Sequence, residues 1–98
     1  MISSFRDKWL EAFFRDDLRG KEVPANLVNS LFRRLQMLDD ATCDLDLRSP
    51  PSNHFEQLDG HLAGKHSVRV NEKWRLIFEF DGKTGQAFDV YLDSHTYR

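Results

Sequence analysis

The chain has a single cysteine, no long hydrophobic run and no excess of positive charge, and each shortage excludes a class of protein. With Cys43 alone, no intrachain disulfide and no cysteine-based metal framework can form, which fits a reducing compartment. No apolar run approaches the about 20 residues that cross a membrane. Arg6, Asp7 and Lys8 stand where a signal peptide needs its apolar core. We therefore expect a cytoplasmic protein that does not bind membranes.

The charge balance removes a further class. Lysine and arginine number 14 against 16 aspartates and glutamates, so the net charge is -2 at pH 7. Such a protein has no long-range attraction to nucleic acid, and any role of that kind depends on a local basic patch. The histidines and carboxylates show no metal-ligand spacing, so we expect neither a metal nor another cofactor. The length of 98 residues predicts one domain, spanning residues 1–98.

Two helices are predicted in the first half of the chain. Over residues 7–17 the apolar positions recur at helical steps, with Ser4 as the expected amino-terminal cap and Gly20 as the stop. A second helix is expected after Pro24, whose missing N–H is no loss in a first turn, and should end near residues 39–40. Together they predict a helical hairpin whose apolar stripes need a sheet to cover.

The second half changes to the period of two that marks strands. Residues 41–53 contain adjacent prolines and predict a loop. Strands are then expected near His54–Leu58, Lys65–Val70, Trp74–Asp81 and Gln86–Asp93, with residues 1–5 as a candidate short edge strand. Helices followed by strands predict an α+β fold, with two N-terminal helices packed on one face of a small twisted antiparallel sheet.

Two arginines in the central hairpin have positions that folding does not require. The large apolar residues of segment 68–80 occupy even positions, and a three-residue loop at 71–73 keeps them on one sheet face. That register puts Arg69 directly opposite Arg75 on the other face. Like charges in this arrangement repel each other. An anionic partner, either internal or a ligand, would relieve the repulsion.

The face opposite the helices collects more polar residues. Pairing of Phe80 with Phe88 sets the register of the last strand and brings Asp93 opposite Arg75. The residues expected to face outward are Lys65, Ser67, Arg69, Arg75, Ile77 and Glu79 in the central strands, His54 and Glu56 in the first strand, and Asp89, Tyr91 and Asp93 in the last. His95 follows just past the end of the last strand. The residues expected to face the core are Phe55, Phe88, Val90 and Leu92.

These side chains fit either structural ion pairs or RNA chemistry. The two arginines are equally well explained as partners of neighbouring aspartates. As a group with Glu56 and His95 they also fit phosphate recognition, charge stabilisation and general acid–base catalysis. RNA supplies its own nucleophile in the 2′-hydroxyl. A site with an acid, a base and a cation can therefore cleave RNA without a metal.

Several short segments resemble HigB toxins of the RelE/ParE superfamily of bacterial type II toxin–antitoxin systems. They are SSFRDK at 3–8, LQMLDDA at 35–41, DLRSPPSN at 46–53, LDG at 58–60, SVRVN at 67–71, WRL at 74–76 and the ending YLDSHTY at 91–97. Their order and spacing span nearly the full chain. The resemblance therefore concerns the whole protein and not one motif.

The resemblance implies a RelE-like fold and a ribosome-dependent mRNA endonuclease that stops translation. It implies three partners, which are a cognate HigA-type helix-turn-helix antitoxin, the ribosomal A site and mRNA. Matched residue by residue, it assigns catalytic importance to Glu56, Arg75, Asp93 and His95. The expected RNA contacts are Lys65, Arg69, Lys73 and Tyr91.

The chain also departs from the better-known pattern of that family. Ser94 stands where many relatives have tyrosine, so any stacking has to come from Tyr91 or Tyr97. Asp59 replaces a common lysine, which removes a phosphate contact. Two other functions fit the same fold. One is inhibition of DNA gyrase in the manner of ParE, and the other is protein binding by a catalytically weak module.

Overall fold

The computed structural model describes residues 1–94 of the chain. Its elements are α1 (Lys8–Asp16), α2 (Val28–Asp40), α3 (Asp44–Arg48), β1 (Glu56–Gln57), β2 (His66–Arg69), β3 (Trp74–Asp81) and β4 (Gln86–Ser94), with 3₁₀ turns at Ala25–Leu27, Pro51–Asn53 and Gly60–Leu62. The helices and a four-stranded antiparallel sheet form the predicted α+β fold. No helix in residues 1–94 is long and apolar enough to cross a membrane.

The first helix has different ends from those that the sequence predicts. Its N-cap is Asp7, and the expected Ser4 cap is wrong, because the Ser4 hydroxyl accepts a hydrogen bond from the Asp89 amide at 2.8 Å. The helix ends before Gly20 because Asp17 adopts a left-handed conformation, with φ of 55°. Aspartate tolerates that region better than most residues do.

The second helix and the segment after it give one success and one error. α2 ends at Asp40 as predicted, and it buries Leu31, Leu35 and Leu38 against the sheet. The segment predicted as a loop instead contains α3. That short helix is fixed by the Asp46 carboxylate, which accepts hydrogen bonds from both the amide and the hydroxyl of Thr42.

The strands lie in chain order across the sheet, and the central hairpin has the predicted register. Val68 pairs with Leu76 and Arg69 pairs with Arg75. The first strand is shorter than predicted. Residues 1–5 form two isolated parallel bridges to β4 and no full strand. The amino-terminal segment thus lies along the edge of the sheet next to β4.

A register shift between Ile77 and Glu79 changes the far end of the last strand. Phe80 pairs with Ala87 and not with Phe88, and Asp89 takes a φ of 56°. Such a bulge turns the next residue to the other face. Phe88 is therefore 36% exposed, and the prediction that it faces the core is wrong.

The core lies between the helices and the even-numbered face of the central strands. Its buried members include Leu10, Phe13, Leu27, Leu31, Leu35, Leu38, Val68, Leu76, Phe78 and Val90. Two residues predicted to face outward, Ser67 and Ile77, are also buried. They lie on the face opposite the helices in the two middle strands, where neighbouring strands flank them on both sides. Buried side chains therefore occupy the middle of the open face.

Candidate active site

A row of three charged residues crosses the open face of the sheet. Arg69, Arg75 and Asp93 lie directly opposite one another on β2, β3 and β4. The Arg75 Nε donates to Asp93 Oδ2 at 3.3 Å, and the Arg75 side chain is 19% exposed. A guanidinium has five N–H donors, and this pairing uses one of them. Within residues 1–94 the terminal Nη groups of Arg75 form no side-chain hydrogen bond or ion pair.

Arg69 is held through its backbone and not through its charge. Its carbonyl oxygen accepts a hydrogen bond from Arg34 Nε of α2 at 2.9 Å. Partial burial lowers the pKa of Arg34, and the positive charge of Arg33 lowers it further. Within residues 1–94 the Arg69 guanidinium forms no ion pair. In the part of the chain that the structure describes, Arg69 is thus the unpaired cation of the row, and it lies beside Arg75, whose guanidinium contacts Asp93.

A shallow pocket surrounds the two arginines on this face. Its lining consists of His54, Glu56, Ser67, Arg69, Asn71, Glu72, Trp74 and Arg75. Glu56 pairs with Ser67. Ser67 and Arg69 are two residues apart on β2 and therefore lie on the same face of the sheet. His54 enters the same pocket from the 3₁₀ turn before β1, where it adopts a left-handed conformation with φ of 46°.

The loop of the hairpin closes one side of the pocket. The Asn71 side-chain oxygen accepts hydrogen bonds from the amides of Lys73 at 2.8 Å and Trp74 at 2.9 Å, which fixes the three-residue turn. Lys73 does not line this pocket. It lies on a neighbouring depression together with Asn26 and Trp74.

Two more of the expected RNA contacts, Lys65 and Tyr91, do not line the pocket. The Lys65 ammonium binds Glu79 at 3.0 Å and Asp89 at 3.2 Å, and its side chain is only 16% exposed. The hydrogen bond that Lys65 donates to Glu79 is the main cause that raises the pKa of Lys65. Tyr91 lies on the open face with the Arg6 guanidinium 4.0 Å from its ring centroid.

The structure thus brings Glu56, Arg69 and Arg75 together in one pocket, with Asp93 in contact with Arg75. Lys65, Lys73 and Tyr91 do not line this pocket. His95 lies outside the described residues. The sequence put His54 on the open face but gave it no role, although a histidine two residues from Glu56 on an alternating strand was a usable signal. In residues 1–94 no three histidine, cysteine or carboxylate side chains are grouped to hold a metal ion.

The fold and the arginine pocket define a class, and comparison with known proteins identifies it as the RelE-like toxins. The family model described as the RelE-like toxin of the type II toxin–antitoxin system HigB matches residues 3–95. This chain belongs to that family of HigB-like toxins.

Two relatives support the assignment. The chain is 48% identical over 97 residues to Toxin HigB-1 of Vibrio cholerae, covering 99% of this chain and 100% of the relative. It is 32% identical over 96 residues to Endoribonuclease HigB of Proteus vulgaris, covering 97% of this chain and 100% of the relative.

A solved structure supports the fold alone. The YoeB–YefM complex of Staphylococcus aureus contains a chain that matches with a TM-score of 0.55 at 16% identity. The match covers 99% of this chain and 97% of the other. At this identity the match speaks for the arrangement of helices and strands and not for the chemistry.

Proposed function

We propose that this toxin is an endoribonuclease that cleaves mRNA on the ribosome, with the arginine pocket as its active site. The observation that carries the proposal is the cross-strand pair of Arg69 and Arg75 beside Glu56 and His54 in one pocket. Two adjacent guanidinium groups with one bound carboxylate favour an anion between them. The relative from Proteus vulgaris is named an endoribonuclease, which supports RNA as the source of that anion.

The proposed reaction uses the 2′-hydroxyl of the RNA as its nucleophile. A base removes the 2′ proton, the 2′ oxygen bonds to phosphorus, and the bond from phosphorus to the 5′ oxygen breaks. An acid protonates the leaving 5′ oxygen. The products are a 2′,3′-cyclic phosphate and a 5′-hydroxyl, so the atoms balance without a further reactant.

The pocket supplies a candidate for each role. Arg75 stabilises the charge that develops on phosphorus, and Asp93 holds its guanidinium through the Nε contact at 3.3 Å. Arg69 binds the phosphate beside it. Glu56 is the first candidate for the base, and either His54 or His95 for the acid.

The proposed partners follow from the family. A type II toxin acts with an antitoxin, and we propose a HigA-type helix-turn-helix protein in that role. We also propose that the ribosomal A site presents the mRNA. The net charge of -2 favours this arrangement, because a protein without a general attraction to RNA benefits from a substrate that another particle positions.

The test is primer extension on a translated mRNA with purified protein. We expect cleavage at defined positions, and loss of cleavage when a 2′-deoxynucleotide replaces the ribonucleotide before the cut. Glu56→Gln should slow cleavage by about 100-fold, the usual contribution of a general base. Arg19→Ala, which removes an exposed charge away from the pocket, is the matched control.

Two results would overturn the proposal. Cleavage that continues at the 2′-deoxy position would exclude the internal nucleophile. Arrest of DNA synthesis before protein synthesis, without any mRNA cleavage, would instead favour inhibition of DNA gyrase.

A further inference from the structure

The amino-terminal segment places one charged side chain on the open face of the sheet. The Arg6 guanidinium binds Asp89 through two hydrogen bonds, Nη2 to Oδ2 at 2.6 Å and Nε to Oδ1 at 3.2 Å. The same group lies over the Tyr91 ring, 4.0 Å from the centroid. Arg6 thus uses its fork on a carboxylate and its flat face on an aromatic ring, which lysine cannot do.

The backbone around this contact is held from both sides. Asp89 sits at the bulge with φ of 56°, and its amide donates to the Ser4 hydroxyl at 2.8 Å. The Arg6 amide donates to the Val90 carbonyl at 2.9 Å. The hydrogen bond from Arg6 is also the main cause that lowers the pKa of Asp89. The guanidinium therefore has a fixed anchor from which to orient the ring.

Tyr91 stands next to the arginine pocket. It pairs with Ile77 on β3, and it precedes Asp93 by two residues on the same face. Two residues along a strand span about 7 Å, which is comparable to the length of one nucleotide. A base attached to a phosphate at Arg75 can therefore reach the ring.

We propose that Arg6 is a positioning residue, which holds the Tyr91 ring as a stacking surface for a base of the RNA bound at Arg75. The RNA part of this inference rests on the proposed function. Stacking on aromatic side chains is tolerant of sequence because every base has a flat face. Tyr91 then supplies the surface that Ser94 cannot.

The first experiment measures the orientation of the ring without any activity. In a Tyr97→Phe background Tyr91 is the only tyrosine, and 3-fluorotyrosine labelling gives one fluorine resonance. We expect Arg6→Ala, Arg6→Lys and Asp89→Asn each to move that resonance toward the position of free fluorotyrosine. Asp89→Asn is informative because asparagine also tolerates the left-handed conformation at the bulge but lacks the charge that binds Arg6. Arg19→Ala should leave it in place. An unmoved resonance in Arg6→Ala overturns the positioning role.

The second experiment measures the use of the ring in cleavage. We expect Arg6→Ala and Tyr91→Leu each to raise KM by at least about fivefold while kcat changes by less than about twofold. The double variant should be no worse than Tyr91→Leu. The position of the stacked base is found by placing an abasic nucleotide in turn at each position beside the cut. With the abasic nucleotide at that position, wild type and Arg6→Ala should have the same KM.

The outcomes separate this inference from the proposed function. Equal KM values for wild type and Arg6→Ala on intact mRNA overturn the stacking role while cleavage itself stands. A wild-type protein that does not cleave overturns the proposed function and the RNA role of Tyr91, and the fluorine spectra still decide whether Arg6 orients the ring.

Discussion

The two ends of the open sheet face carry the same kinds of side chain in opposite states. At one end, Arg6 and Lys65 are bound by Asp89 and Glu79, with every contact between 2.6 and 3.2 Å. At the other end, Arg75 has one contact to Asp93 at 3.3 Å, and Arg69 forms no ion pair within residues 1–94. At the first end, called the closed end below, each cation contacts a carboxylate, whereas at the second end Arg69 contacts none within residues 1–94.

This difference shows that a count of basic residues does not locate an anion site. Both ends have two cations beside the open face of the sheet. What distinguishes them is where the carboxylates lie, since a paired cation has to lose its partner before it can bind phosphate. The pairing is the reason why we propose a structural role for the first end and a chemical role for the second.

Removal of the unpaired cation should have the largest effect among the first tests of this comparison. We expect Arg69→Ala to raise KM for cleavage by about tenfold, because it deletes a phosphate contact, and to leave the melting temperature nearly unchanged. Kinetics on mRNA-programmed ribosomes check it. A large loss of stability with unchanged KM would show that Arg69 belongs to the fold and not to the site.

Removal of Lys65, the half-buried cation at the closed end, should have the converse effect. We expect Lys65→Ala to lower the free energy of unfolding by about 1 kcal/mol, because it removes one cation from contact with Glu79 and Asp89. Cleavage should stay within about twofold of wild type. Urea unfolding and the cleavage assay measure both quantities. A loss of cleavage like that of Arg69→Ala would remove the distinction between the two ends.

Acid should weaken the closed end in a defined range. Hydrogen bonds from Arg6 lower the pKa of Asp89 in the folded protein, so the carboxylate's contribution is complete above its ordinary pKa of about 3.9. It is lost as the pH falls through the lower folded value. Asp89→Asn should flatten the acid limb of a stability–pH profile. An unchanged limb would mean that the ion pair contributes little.

A smaller effect is expected at a higher pH from His66, which stacks on Phe55 with ring centroids 5.2 Å apart. Among residues 1–94 no group forms a hydrogen bond with the buried Nδ1 of His66, and burial lowers the pKa of this histidine. The contribution of neutral His66 to folding stability is thus complete above about pH 6.5, the ordinary pKa of histidine. It is lost as the pH falls through the lower pKa that His66 has in the folded protein. His66→Phe should remove this dependence, and His61→Gln, at an exposed position, should keep it.

The features that the sequence predicted well depend on alternation. The even positions of the hairpin are apolar, so a loop that preserves parity leaves one register, and Arg69 meets Arg75 as expected. The second helix was predicted equally well because its leucines recur at helical spacing and polar residues mark its end. Local pattern and tertiary structure agree in both elements.

The features that it missed depend on contacts between distant segments. The bulge at Asp89 is tied to Ser4 and Arg6, which lie more than 80 positions away in the chain. No local pattern reveals such a contact, so the facing of Phe88 was wrong and the pairing of Lys65 was not foreseen. The short helix α3 was hidden because adjacent prolines after it gave the stronger signal for a loop.

The most direct test of the account is the single-turnover cleavage rate of Arg75→Ala beside that of Lys65→Ala on the same translated mRNA. If Arg75 stabilises the charge on the reacting phosphate, its removal should slow cleavage by about 100-fold or more while the protein still unfolds cooperatively. Lys65→Ala should cleave at nearly the wild-type rate. Equal rates in the two variants would contradict the assignment of the arginine pocket as the active site.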